Sequence, residues 1–292
     1  MSKLIISLTT IPPRFPYLHE VIEGLMQQTA DVEAIHLYIP KTYRRFEYAA
    51  NDLPKLPDAV RISFVDQDYG PATKVLPTVR EYAGQDVMIL FGDDDEVYDP
   101  EWAARFVRAA QKKPACAICE EGGLIGEKYN AGDKWRSNRM PKAVFRQKDL
   151  GYRLKRAASF GMWRPTTTTA SGHVDIFEGW GGVLVRPHFF DERTFDIPDV
   201  LWTVDDVWLS GCLERLGVPI WLCNHGKIRI TDISNPMNEA SLSNFVTNGH
   251  DRDAANRACV EYMRRNFGIW GGRGALTINN EPFENLDSAQ SA

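Results

Sequence analysis

Only five cysteines occur in 292 residues, at positions 116, 119, 212, 223 and 259. An odd, scattered set excludes a disulfide framework and fits a reducing compartment. The lone Cys116-x-x-Cys119 lacks the second pair a zinc site would need, so it reads as two small buried hydrophobes. Long apolar runs are missing too: none approaches the ~20 residues of a membrane span. The opening residues from Met1 go straight into a strand pattern and then Pro12-Pro13, with too short an apolar region for a signal peptide. A cytoplasmic location is therefore expected, with the inner membrane face as the place for any peripheral contact. An excess of positive charge is also absent. There are 34 Lys and Arg against 39 Asp and Glu, a net charge of -5, which excludes a general nucleic-acid binder.

What is present suits one large α/β unit or two small ones. The chain is 43% hydrophobic and 25% charged, enough for a core in an ordinary soluble protein. Lys3 to Leu8, Ala34 to Ile39, Val60 to Val65 and Val87 to Phe91 have strand length and composition. Leu18, Val21, Ile22, Leu25 and Met26 mark an amphipathic helix between the first two. Alternation of this kind predicts a mainly parallel sheet flanked by helices.

The fourth strand runs into Gly92 and three consecutive aspartates, Asp93, Asp94 and Asp95. Open parallel sheets bind ligands at the carboxyl ends of their strands. Adjacent carboxylates repel unless a cation lies between them, and hard oxygen ligands suit Mg²⁺ or Mn²⁺. A solvated acidic turn is the plainer alternative. Asp99-Pro100 then reads as a helix N-cap and first helical residue. Three other loops join the candidate site. Thr9, Thr10 and Arg14 follow the first strand and suit a nucleotide base or phosphate. Asp66 and Asp68 follow the third strand and suit a ribose or base. Lys74, near a helix start from Ala72 onward, suits a phosphate. Turn and surface roles are the alternatives for each.

A second acidic pair, Asp205-Asp206, opens a helix striped by Leu209, Cys212, Leu213 and Leu216 and stopped by Gly217. Thr203 with Asp206 also fits a capping box, but two acids exceed what capping needs, and one suits a general base on a hydroxyl. Strands are expected at Ile220 to Cys223 and Lys227 to Ile230. Between them His225 is a candidate for a metal shell or a diphosphate contact, and His250 is a weaker one. Glu178 to Gly182 sets Gly179, Gly181 and Gly182 around Trp180. This suits close approach to a flat ligand, with Trp180 stacking on a sugar as an acceptor platform. Residues 252 to 267 form a last helix.

Charge changes sign in the middle of the chain. Residues 134 to 164 hold ten Lys or Arg (134, 136, 139, 142, 146, 148, 153, 155, 156 and 164) against one acid, Asp149, with aromatics interleaved. Such a block suits an anionic substrate or an anionic membrane face. A solvated insertion is the alternative. Thr166 to Gly172 reads as a linker. The chain thus divides into 1–119, 120–172, 173–270 and a frayed tail, 271–292.

Ser7-Leu-Thr-Thr10, Asp93-Asp94-Asp95, Gly179 to Gly182 and Asp205-Asp206-Val-Trp-Leu, in that order, resemble a GT-A-fold glycosyltransferase. The last element is similar to the Glu-Asp-Val helix of β-1,3-galactosyltransferase and Fringe type enzymes, with Asp205 in place of Glu. The resemblance implies a GT-A-like, Rossmann-like sheet with a smaller acceptor-side region. It implies Mn²⁺ or Mg²⁺ on Asp93 and Asp95 and a nucleotide-diphospho-sugar donor, UDP-sugar favoured, with Asp94 on the donor side. Asp206, beside Asp205, would be the base of an inverting transfer to a glycan or lipid-linked acceptor. The chain lacks the membrane anchor and disulfides of the animal enzymes and looks more like a bacterial relative. Two rivals remain. Asp93-Asp-Asp95-Glu-Val97 also satisfies the D-x-D-x-V pattern of haloacid dehalogenase-like phosphatases, although their nucleophile follows the first strand. A carbohydrate- or nucleotide-binding module with structural aspartates is the non-enzymatic reading.

Overall fold

The computed structural model describes residues 2–49, 52–128, 135–160, 162–163, 165–225, 230–232 and 252–271. In the first part of the chain the strands are β1 (Lys3–Thr9), β2 (Ala34–Pro40), β3 (Val60–Val65), β4 (Val87–Phe91), β5 (Glu96–Tyr98), β6 (Ala117–Cys119) and β7 (Gly122–Gly123). The later ones are β8 (Val144–Phe145), β9 (Thr168–Ala170), β10 (Gly172–Val174), β11 (Ile176–Phe177), β12 (Val183–Val185), β13 (Ile220–Leu222) and β14 (Ile230–Asp232). The helices are α1 (Leu18–Met26), α2 (Leu76–Glu81), α3 (Trp102–Lys112), α4 (Ile125–Lys128), α5 (Leu150–Ala158), α6 (Asp205–Arg215) and α7 (Arg252–Phe267).

Eight strands form one sheet in the order β10-β13-β6-β12-β4-β1-β2-β3. Neighbours from β4 to β3 are parallel, as are β13 and β6, while β12 and β10 run the other way. The mainly parallel, Rossmann-like α/β class expected from the sequence is present. Strands of the first and third sequence segments share this one sheet, because β12 inserts between β4 and β6.

The apolar runs of β1 and β4 are continuous rather than alternating because both faces of the sheet are covered. Leu4, Ile6, Leu8, Met88 and Leu90 pack on one side with Leu18, Val21 and Ile22 of α1 and with Trp102 and Phe106 of α3. Ile5, Ile89 and Phe91 pack on the other with Leu76 and Val79 of α2, Leu209 and Leu213 of α6 and Val260 of α7. All five cysteines are free and buried in these layers. Among the described residues no helix is long and apolar enough to cross a membrane.

Strand order reverses between β1, which leads outward to β2 and β3, and β4. The crevice at such a switch point is where ligands enter an open sheet. The loops after β1, β3 and β4 all emerge at this end.

Several local expectations are corrected. Helix α3 begins at Trp102, not at Pro100, and the Asp99 side chain accepts from Glu101 N at 3.0 Å in a turn before it. The segment from Ala72 is split into a 3-10 turn, Gly70–Lys74, and α2, which starts at Leu76. Thr166 to Gly172 is no plain linker: β9 pairs with β8, and β10 reaches the sheet edge. Leu216 is 39% exposed and leaves the buried stripe of α6. Of the strand expected at Lys227 to Ile230 only Ile230 is described, at the start of β14, which pairs with β5. Lys134, Arg164, His250 and residues 272–292 lie outside the described residues.

Between β10 and β11, the Asp175 carboxylate accepts from Ile125 N at 3.1 Å and is 6% exposed. Burial pushes it up to about 6, against an ordinary value near ~3.9. The folded chain therefore holds a proton between these values that the unfolded chain releases, so stability falls as pH rises from about 4 through 6. Asp175→Asn removes this ionisation. The stability gap between wild type and variant, read by urea unfolding, should shift by ~2 kcal/mol in the variant's favour between about pH 4 and 7. A gap independent of pH would show that Asp175 is not the titrating group.

Candidate active site

Gly92 places the aspartate loop. A Cβ there would lie 2.2 Å from the Tyr98 hydroxyl, so only glycine allows the ring to close under the turn. That hydroxyl accepts from Asp93 N at 2.8 Å and donates to Trp180 O at 3.2 Å. Tyr98 stacks on Trp102 with ring centroids 4.0 Å apart. The end of β4 is thereby tied to the 178–182 loop before the acids make any contact of their own.

Each of the three aspartates meets a cation. The Lys74 ammonium donates to Asp93 at 2.6 Å. The Arg14 guanidinium donates to Asp94, and to Asp95 at 2.6 Å. Lys74 is 4% exposed and also lies 3.0 Å from the Asp205 carboxylate at the start of α6. One buried lysine thus joins the two acidic loops, which are more than a hundred residues apart in sequence. Burial alone would lower its pKa, but Asp205, Asp93 and Asp206 together hold it above the ordinary lysine range. Asp93 is held below the carboxylate range, because Lys74 outweighs the upward push of burial.

Asp95 and Asp206 go the other way. Burial, then Asp94 and Asp93, push Asp95 up to about 7. Burial and then Asp205 push Asp206 up to about 7, against the opposing pull of Lys74. Asp206 accepts from Gly179 N at 3.0 Å. The capping box with Thr203 does not form: the N-cap of α6 is Val204, and it has no side-chain cap. With capping excluded, Lys74 and the Gly179 amide account for the placement of the acidic pair.

These groups line a cavity of about 140 Å³, together with Thr9, Thr10, Tyr43, Phe46, Asp68, Trp202 and Arg252. The Tyr43 hydroxyl donates to Thr10 O at 2.8 Å and fixes the loop after β1. Asp68 spends its two oxygens on backbone, accepting from Arg44 N and Gly70 N at 2.8 Å each. Trp202 donates to Asp68 O at 3.0 Å, and a Cβ on Gly70, at φ +59°, would lie 2.8 Å from its ring. Helix α7 brings Arg252 in because Met263 packs on Gly211 of α6, where a Cβ would lie 2.8 Å away.

Of the sequence candidates, Thr9, Thr10, Arg14, Asp68, Lys74, Asp93, Asp94, Asp95, Asp205 and Asp206 come together here. Four sets do not. Asp66 sits at the surface, 88% exposed, paired with Lys41. His225 lies 3.4 Å from Glu120, and burial and then Arg105 push it down to about 4. That neighbourhood is separate from the aspartate loop. Gly181 and Gly182 do not line the cavity: a Cβ on Gly182, at φ +92°, would lie 2.6 Å from Trp102, and one on Gly181 would lie 2.9 Å from Glu121. Trp180 is half-buried, outside the cavity, and donates to Glu178. In this loop the close approach belongs to protein packing and, at Gly179, to Lys74, which a Cβ would meet at 2.6 Å. Tyr43, Phe46, Trp202 and Arg252 were missed. The signal for the first two is the aromatics of residues 41–58, an otherwise polar, Pro-containing stretch between β2 and β3.

The residues suit a divalent cation in charge but not in present arrangement. Asp68, Asp93, Asp94, Asp95, Asp205 and Asp206 face Arg14, Arg45, Lys74 and Arg252, an excess of carboxylate. Asp94 Oδ2 is buried without a hydrogen-bond partner. Among the described residues, however, no three acidic, His or Cys side chains already converge on a cation-sized space. The triplet must trade Arg14 for a metal to hold one.

No protein-family model matches the chain, and neither does any curated protein. Among solved structures, residues 1–349 of S. aureus TarS are similar at 13% identity and a TM-score of 0.41, covering 80% of this chain and 61% of that one. The mannosyltransferase PcManGT from Pyrobaculum calidifontis, in complex with GDP-Man and Mn²⁺, is similar at 15% identity and a TM-score of 0.42, covering 76% and 55%. The UDP complex of TarS gives 14%, 0.40, 76% and 58%. The chain spans less than two thirds of the length of each.

Proposed function

We propose that this chain is a glycosyltransferase that moves a sugar from a nucleotide-diphospho-sugar to a hydroxyl acceptor, with inversion at the anomeric carbon. The observation that carries the reading is the shared buried lysine. Lys74 brings the Asp93 loop and the Asp205-Asp206 helix start to one cavity at the switch point of a mainly parallel sheet. A leaving-group site and a base must face each other for such a displacement, and two acidic loops on one cavity meet that need.

Asp93 and Asp95 would hold Mn²⁺ or Mg²⁺, which as a Lewis acid supplies charge neutralisation for a diphosphate leaving group. The rest is done by the chain. A cavity with excess carboxylate repels a diphosphate, so Arg14 and Arg252, both on its wall, are the side chains for the phosphates. Thr9, Thr10 and Tyr43 border the room left for the nucleoside. Asp206 takes the acceptor hydroxyl proton as the oxygen attacks the anomeric carbon from the face opposite the leaving group. Its carboxyl, at about 7, suits a base working near neutral pH. The acceptor is a glycan or lipid-linked hydroxyl, and the UDP-sugars are the favoured donors.

Titration calorimetry of UDP and GDP, each with and without Mn²⁺, tests this. One nucleotide should bind with the metal, and Asp95→Ala should weaken it by ~100-fold, on the scale of ~2–3 kcal/mol for a lost charged partner. Metal-independent binding that survives Asp95→Ala would favour a binding module. Absence of binding together with phosphate trapped on Asp93 would favour a phosphatase.

A further inference from the structure

Helix α5 and the turn after it are built unlike the rest of the molecule. None of the nine residues of Leu150–Ala158 is buried. At the helical angle of about 100° per residue, Leu150 and Leu154 share one face. They are 73% and 61% exposed, and nothing among the described residues covers them. Phe160 follows at φ +50° and is 92% exposed, with Met162 at 79%. A bulky residue in the left-handed region is a rare backbone state, and here it turns an aromatic ring outward. The opposite side of the helix has a partner: Tyr152 packs on Trp163 with ring centroids 5.4 Å apart, and Trp163 N donates to Ser159 Oγ. The apolar edge of the helix is thus left open.

Arg153 lies beside that edge, Lys155 and Arg156 lie round the helix toward Trp163 and Tyr152, and Lys148 precedes the helix; all four are exposed. None of them forms an ion pair among the described residues. Asp149, the one nearby acid, is spent capping the helix on Tyr152 N at 2.8 Å. In a chain of net charge -5, this is a local field of opposite sign. Four exposed cations on and just before a short surface helix with an open apolar edge form the charge-and-burial pattern of an interfacial segment, in which the bases meet anionic headgroups and the apolar side chains enter the acyl boundary.

We propose that α5, with Phe160 and Met162, docks this protein on an anionic lipid bilayer. The insertion is also tied to the candidate site: Thr167 donates to Glu121 at 2.7 Å, Glu178 N donates to Glu121 O, and the next amide, Gly179 N, donates to Asp206.

Co-sedimentation of the full chain with phosphatidylcholine vesicles, with and without phosphatidylglycerol, tests the docking. Binding is expected only to the anionic vesicles and should fall at high salt. Reversal of three charges (Arg153→Glu, Lys155→Glu, Arg156→Glu) should weaken it by about 100-fold or more. Leu150→Ser with Leu154→Ser should weaken it by about 10-fold or more. All five positions are exposed, so the variants should melt as wild type does, and UDP or GDP binding serves as a separate check on the cavity. Equal binding to neutral and anionic vesicles, binding to neither, or wild-type binding by the charge-reversed variant would overturn the proposal. So would tight binding to heparin with no vesicle binding, which would mark a site for soluble polyanions.

Discussion

Replacing Lys74 with methionine should cost ~3–5 kcal/mol of unfolding free energy, the range for removing one partner of a buried charge cluster. The ammonium is 4% exposed and stands between Asp93 at 2.6 Å and Asp205 at 3.0 Å, with Asp206 close by. Methionine fills much of the same volume, so little of the loss would come from a cavity. The loss would come from acids left to repel one another in a poorly solvated space. A second substitution separates this from mere misfit: Asp205→Asn in the Lys74→Met background should recover ~1–3 kcal/mol, the range of coupling between contacting charges. A loss below about 1 kcal/mol in the single variant, or no recovery in the double one, would show that Lys74 is not the charge balance of the site. Chemical denaturation of wild type, Lys74→Met, Asp205→Asn alone and the double variant measures all four corners of the cycle.

The second large effect is at Asp206. Asp206→Asn should reduce transfer, or the slow hydrolysis of a bound donor, by ~10²–10⁴-fold, the usual contribution of a general base. Nucleotide affinity should stay within a few-fold, about 1 kcal/mol, because nothing in its assigned role touches the diphosphate. The pH profile supplies an independent readout. The working form of a base is the ionised one, and burial with Asp205 holds this carboxyl up at about 7. Activity should therefore climb as pH rises through about 7 and level off above it. Lys74 pulls the same carboxyl down, so any residual activity of Lys74→Met should show its rising limb at higher pH. A flat profile, or full turnover by the asparagine variant, would remove Asp206 from the role.

Much of this architecture was legible because it is local. Strands β1 to β4 announce themselves as short apolar runs between turn residues, and α1 by its spacing. Three adjacent aspartates after a strand mark a ligand-facing loop whatever surrounds them. The acidic pair at the head of α6 was visible for the same reason. At two places where local readings competed, only the fold decided between them. Thr203 and Asp206 have capping-box spacing, but the chain enters α6 through Val204 and the carboxylate turns to Gly179 instead. Glycines 181 and 182 signal close approach in either case. Only the fold shows that the approaching groups are Glu121 and Trp102.

Sequence by itself therefore determined the α/β class, the parallel core, the acid-bearing loops and the basic character of the 134–164 insertion. These depend on periodicity, propensity and charge within a few residues. Tertiary structure alone decided that Lys74 serves both acidic loops, that Arg14 crosses from the β1 loop to Asp94 and Asp95, and that Tyr43, Trp202 and Arg252 complete the cavity. It also decided that Asp66 and His225 stand outside. The physical reason is range. A buried charge must find its counter-charge wherever the sheet order brings one, and strand order joins positions such as 74 and 205 that share no local pattern.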